Sequence, residues 1–228
     1  FRVTFRQFFA DWEAERPMKA RIDRLTGDMS PPAPIAPERL AAQLLASAKW
    51  VNESIEFWVR MINMWKVMPN TFRSYKQLSD RAIDATPGGE PMVAYWSLPK
   101  DEALILRVRP PACPYWAVEF GNFWWMSMDY RYRLSNTNCH YAQLEDDGEL
   151  IVVVAHEDPG LPNWLDTSGF TEGYVTYRWM LAESCPDPQA TQVKTAELLK
   201  HLPAKIKRIT PDARREQLAT RRRGVINR

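Results

Sequence analysis

The chain has 228 residues, of which 45% are hydrophobic and 25% charged, enough for one large domain with a real core and too apolar for global disorder. Its 30 basic and 28 acidic residues leave a formal net charge of +2, so no global field selects nucleic acid as a partner. Three cysteines, with no C-x-x-C pair, exclude a zinc knuckle and a dithiol redox site and fit reduced thiols in a cytoplasmic protein.

Residues Phe1 to Arg6 alternate apolar and polar side chains, the period of a half-buried strand. A strand at the first residue needs a neighbour for its backbone, so residues 1–30 read as the end of an upstream β-rich domain. Asp11 to Arg24, carrying Trp12, is interrupted by Pro17 and is expected to form a bend or a second strand rather than one helix. Ser30 to Pro37 reads as a stiff, extended Pro-rich linker.

From Glu38 to about Val67 comes the strongest helical signal. Leu40, Leu44, Val51, Ile55, Trp58, Ile62 and Trp65 recur mostly at three- and four-residue steps, and Pro69 closes the run. Such a stripe packs on its own sheet or pairs with another subunit, the first being the default. A polar stretch and the turn Pro87-Gly88-Gly89 complete a linker and helical segment over 31–90.

From Met92 the period becomes two. Val93 to Trp96, Ala103 to Arg109, Tyr115 to Phe120, Trp124 to Asp129, Leu150 to His156 and Tyr174 to Leu181 all read as strands. Asp146-Asp147-Gly148 is a hairpin-type turn, and the unbroken apolar run Leu150 to Val154 fits a strand covered on both faces. The fold class expected is mainly β with flanking helices: a jelly-roll-like antiparallel β-sandwich over 91–185 plus a long amphipathic helix. Past Pro186, residues 186–228 read as a helical basic tail, in which a run such as Arg221-Arg222-Arg223 is expected to be a solvated terminus.

Two segments carry more than pattern. Trp116 to Arg131 is an aromatic strand with a W-x-x-x-x-Y-like ending. Asp147-Gly148, the apolar strand Val152 to Val154, Asn163-Trp164-Leu165 and the arginine-bearing Tyr177-Arg178-Trp179 follow in order. Over about residues 90 to 185 the chain resembles the C-terminal domain of the domain-of-unknown-function family 1214 (DUF1214), seen in DUF1254/DUF1214 two-domain proteins. The resemblance implies a jelly-roll-like sandwich, often preceded by a related domain in the same polypeptide, and no reaction. Leu165-Asp166-Thr167 departs from the Leu-Pro of the best-known branch and resembles an actinobacterial-type branch of longer proteins.

Ionisable groups beside aromatic ones point to a small hydrophobic, carbonyl or anionic metabolite in an aromatic cleft. Asp129, Arg131 and Arg133 would share one face of an extended chain and Tyr130 and Tyr132 the other. That pattern suits either an anion site or a structural ion-pair network. His156, oriented by Asp158, is the candidate general acid or base, with Asp129 as a further catalytic carboxylate. Trp116, Trp125, Tyr130, Arg131, Tyr132, Asn163, Trp164, Asp166 and Arg178 are the candidate ligand-binding residues. Each has a structural alternative: Asn163 and Asp166 can bond loop backbone, and Arg178 needs a partner, Asp166 or Asp129. His140, His156 and Asp158 invite comparison with a metal site, but without the H-x-H spacing of a cupin no metal is assigned, and the cofactor is left open. The competing reading is an assembly module, meeting an upstream half of the same polypeptide or a second copy through the Trp-rich helix and the basic tail.

Overall fold

The computed structural model describes residues 5–23, 25–27, 31, 33–74 and 91–226. The expected first strand falls largely on residues 1–4 and the Pro87-Gly88-Gly89 turn on residues 75–90, both outside the described residues.

Helix α1 (Pro37–Lys66) starts on a proline at its first position, with Glu38 in its first turn and Lys66 in its last, a charge order that suits the helix dipole. Beyond its end the chain turns at Asn70, which takes a φ of 58°. The Asn70 side chain clamps Ser97, donating from Nδ2 to its carbonyl and accepting its N–H at Oδ1.

Among the described residues nine strands follow: β1 (Arg73–Ser74), β2 (Met92–Ser97), β3 (Glu102–Val108), β4 (Tyr115–Asn122), β5 (Asn136–Asn138), β6 (Leu150–Ala155), β7 (Trp164–Asp166), β8 (Glu172–Met180) and β9 (Gln189–Lys194). They form a five-stranded sheet in the order β1-β2-β8-β4-β5 and a four-stranded sheet in the order β7-β6-β3-β9. All pairings are antiparallel except β6 with β7. A 3₁₀ helix (Thr195–His201) and helix α2 (Pro211–Ile226) complete the chain. This is the mainly β sandwich with flanking helices that the patterning implies.

The period-two alternation decides the layers. Met92, Ala94 and Trp96 of β2, Trp116, Val118 and Phe120 of β4, and Val175, Tyr177 and Trp179 of β8 point between the sheets, where they meet Leu104 and Leu106 of β3 and Leu150, Val152 and Val154 of β6. Val93, Tyr95 and Tyr174 face outward under Met61, Ile62 and Trp65 of α1. On the far side, Ile105, Ile151 and Val153 are covered by Leu161, Leu198 and Leu202. Strand β6 is thus buried on both faces, which explains its unbroken apolar run. Each such Leu, Ile or Val contributes about 1.5–3 kcal/mol by leaving water.

Three local expectations give way. Trp124 to Asp129 is not a strand: Asn122 Oδ1 accepts the N–H groups of Trp124 and Met126, and Trp125 takes a φ of 61°. This Asx-type turn, closed by a Gly121–Ser127 bridge, outcompetes the ladder. Past Pro186 the chain first adds an edge strand, β9, on β3 before any helix. The basic tail is not a solvated terminus, because α2 docks on the sandwich with Arg214 and Arg221 buried.

Candidate functional site

The residues read as catalytic do not meet. His156 Nε2 faces the Leu98 carbonyl oxygen at 3.2 Å, a group that only accepts. That nitrogen therefore carries the proton, and Nδ1 accepts from the Thr167 hydroxyl at 2.9 Å. Asp158 does not orient it. Its carboxylate instead receives Arg214 Nε and Nη2 at 2.9 and 3.0 Å. Asp129 accepts the Arg131 N–H at 3.2 Å in a tight turn, so Asp129, Arg131 and Arg133 do not line up along a strand face.

The candidate ligand residues divide into three groups. Trp116 is core, edge-on to Trp179. Trp125 stacks on Tyr174 at 4.2 Å and lies 5.5 Å from the Trp58 ring. Arg178 binds Glu119 across the β4–β8 pair at 3.1 Å, not Asp166 or Asp129. Asp166 is buried and holds Arg133 at 3.0 Å and the Ser168 N–H at 2.7 Å. Asn163 serves loop backbone: Oδ1 accepts from Gln143 N–H, and Nδ2 donates to the Gln143 and Ile151 carbonyls. Asn163 and Trp164 line a cleft beneath α2, Tyr130 lines a smaller one beside it, and Arg131 and Tyr132 line a third near the end of the same helix.

The cleft under α2 encloses about 510 Å³, within the range of small-molecule sites. Its base is Leu134, Asn136 and Thr137, and α2 closes it with Gln217 and Arg221. One wall is Trp12 against Tyr141, ring centroids 4.2 Å apart, with the Tyr141 hydroxyl accepting the Trp12 N–H at 3.0 Å. The other wall is Trp164, whose indole donates to the Ala155 carbonyl at 3.0 Å. Helix α2 is held over it by a buried arginine at each end. Arg214 binds Asp158 and the Leu161 carbonyl and lies 5.2 Å over the Trp164 ring. Arg221 donates to the Tyr130 and Asn136 carbonyls and lies 4.8 Å over the Trp12 ring. Gly224 completes the fit, since a Cβ there would meet Trp12 Cβ at 2.7 Å.

Two polar atoms in this region are buried and have no hydrogen-bond partner among the described residues: Arg221 Nε and Asn136 Oδ1. Burial pushes the Arg221 guanidinium down to about 10, the Tyr141 phenol being its one charge-bearing influence and no carboxylate compensating. A second, wholly different cavity of about 240 Å³ lies between α1 and the loop after β4, walled by Trp58, Phe123, Trp124 and Trp125 and without a charged side chain. Among the described residues, no group of three or more His, Cys, Asp or Glu is placed to hold a metal ion.

Sequence reasoning missed Trp12, Tyr141, Arg214 and Arg221. The available signal was the spacing Arg214, Gln217, Arg221, Gly224, which places all four on one helical face, with a glycine where another chain segment must approach closely.

No family model matches the chain, and no curated protein does. Among solved structures the chain is similar to an uncharacterized protein from Burkholderia cenocepacia, with a TM-score of 0.69 and 31% identity over 74% of this chain and 47% of that one. A protein from Vibrio parahaemolyticus matches over 72% of this chain and 47% of its own, at 14% identity and a TM-score of 0.38, too loosely to argue from. The chain spans about half the length of each of these solved proteins.

Proposed function

We propose that this chain is a ligand-binding sandwich of the DUF1214 type that holds a small metabolite in the cleft under α2. The observation that carries the reading is the meeting of three aromatic rings, Trp12, Tyr141 and Trp164, with a buried arginine around about 510 Å³ of open space. Aromatic walls with a few converging polar groups are the common make-up of small-molecule sites. The reading stops at binding, because His156 and Asp158 are engaged elsewhere and no reaction follows from the cleft. Three unpaired cysteines support a cytoplasmic setting, and no helix among the described residues is long and apolar enough to cross a membrane.

Native mass spectrometry of the purified chain tests the reading. One small molecule per chain is expected on the wild type and none on Ala213→Trp, which fills the cleft from α2 without touching the sandwich core. The same mass on both proteins, or on neither, counts against the cleft.

A second reading, assembly with another copy of this chain, rests on α1. Its positions Ala41, Leu44, Ala48, Val51, Ile55, Trp58, Ile62 and Trp65 form one continuous seven-residue-repeat seam. Only Ile62 and Trp65 of that seam are buried, while Leu44, Val51 and Ile55 stand 63%, 49% and 58% exposed. Small residues facing large ones along an antiparallel pair of such seams pack closely, and Arg39, Lys49, Glu53, Glu56 and Arg60 lie on the opposite face. Sedimentation at micromolar concentration is expected to give a dimer for the wild type and a monomer of unchanged melting temperature for Val51→Glu. A wild-type monomer throughout removes the second copy as the partner.

A further inference from the structure

We infer that the cleft under α2 takes a carboxylate, held by Arg221 between the rings of Trp12 and Tyr141 on one side and Trp164 on the other. The inference rests on the cleft reading above and names its ligand class.

Arg221 is 4% exposed, yet among the described residues no ion pair reaches it. Three other buried or half-buried arginines each have a carboxylate: Arg214 has Asp158, Arg107 has Glu149 and Arg178 has Glu119. The two acidic residues that line the same cleft, Glu13 and Glu216, are both taken by the exposed Arg223 at 3.1 and 2.8 Å. What Arg221 has instead are two backbone carbonyls and the face of Trp12. These satisfy part of a guanidinium's five donors and leave its charge uncompensated, with Nε unpartnered. Taking a cation out of water without a counter-charge is costly, and an anion delivered by a ligand removes that cost.

The shape of the site selects among anions. A guanidinium presents a planar fork that matches a carboxylate edge to edge, and the flat walls of Trp12, Tyr141 and Trp164 suit a planar body behind it. Asn136 Oδ1, the second unpartnered atom of the region, accepts and does not donate, so a hydroxyl on the same ligand has a partner waiting. A hydroxylated aromatic acid meets all three conditions. Inorganic phosphate meets only the charge.

The probes are benzoate and 4-hydroxybenzoate, each compared with uncharged benzamide and with inorganic phosphate, read by quenching of tryptophan fluorescence and by melting temperature at neutral pH. Both aromatic acids are expected to raise the melting temperature and to bind at least tenfold more tightly than benzamide or phosphate. In Arg221→Gln the acids are expected to fall to the level of benzamide while benzamide itself is unchanged, and Arg221→Lys is expected to recover part of the preference. If Arg221→Gln fails to fold, the wild-type comparison of benzoate with benzamide still decides the matter. Equal affinity for acid and amide, or acid binding indifferent to Arg221→Gln, overturns the carboxylate inference and leaves the cleft reading standing. Phosphate binding more tightly than the acids overturns the carboxylate in favour of a phosphoryl group. No response to any probe, together with a bare chain by mass, removes both.

Discussion

Helix α1 carries a long apolar seam yet buries only Met61, Ile62 and Trp65 against the sandwich, whereas α2, with almost no apolar face, is docked through two buried arginines. The contrast separates what makes a helix from what places it. Periodicity and few breakers suffice to form α1, but the sheet beneath it is only wide enough for its last turns, and the remaining apolar residues keep their solvent exposure. In α2 the side chains that would be solvated in isolation find carbonyls, a carboxylate and indole faces at fixed positions. Charge is here the docking device, and the docked helix covers a cleft.

The sharpest way to break the comparison is Arg214→Ala. It removes two bonds to Asp158, the contact with the Leu161 carbonyl and the stacking over Trp164. Because Asp158 keeps partial access to water, the expected cost is about 2–3 kcal/mol, below that of a fully buried broken pair. Urea denaturation is the measurement, and ligand binding in the cleft should fall with it. A loss under about 0.5 kcal/mol, the size of an ordinary surface substitution, would mean that α2 is held by something other than its arginines.

How much of this was legible in the sequence follows from the same contrast. The strands β2, β3, β4, β6 and β8 and helix α1 were readable because a two- or near-four-residue apolar period reports directly on burial. Strands β5, β7 and β9 were not, since Asn136 to Asn138, Trp164 to Asp166 and Gln189 to Lys194 carry polar residues whose extended form depends on neighbours distant in sequence. The Trp124 to Asp129 turn was hidden for the opposite reason: its aromatic content favours a strand, and a single side chain, Asn122, overrides it. At the site, Asn163 braces loop backbone, which its residue type allowed as an alternative to ligand binding, and also lines the cleft. His156 and Asp158, two residues apart, suggested a pair that the fold separates, because Asp158 turns toward a helix some fifty residues later in the chain. Arg221 and Trp12 are brought together from opposite ends of the chain, and no local spacing announces such a contact.

The smallest expected effect tests the polar anchor of α1. Lys66 in its last turn donates to Glu172 at 2.8 Å, and the Tyr95 hydroxyl donates to the same carboxylate oxygen. The Lys66 ammonium first, and then the Tyr95 hydroxyl, hold the Glu172 carboxyl below its ordinary 4.5 against the opposing effect of burial. A carboxylate whose folded value is depressed contributes stability that is present above the unfolded value and is lost as pH falls through the folded one. Several other acids, Asp101, Glu102 and Asp147 among them, are lowered too, so the wild type alone cannot isolate this group. The informative quantity is the melting-temperature difference between wild type and Glu172→Gln, which keeps an acceptor for Tyr95 but loses the ion pair. Since the pair is partly exposed, the difference should correspond to under about 1 kcal/mol. It should be constant between about pH 5 and 8 and shrink as pH falls below the unfolded value of about 4.5. On the alkaline side Tyr95 is raised by burial and by the carboxylate, so the hydroxyl should go on donating beyond the ordinary tyrosine range. A difference that grows toward acid would show that Glu172 is not held in its charged form, and that α1 rests on its apolar contacts, Met61, Ile62 and Trp65 foremost.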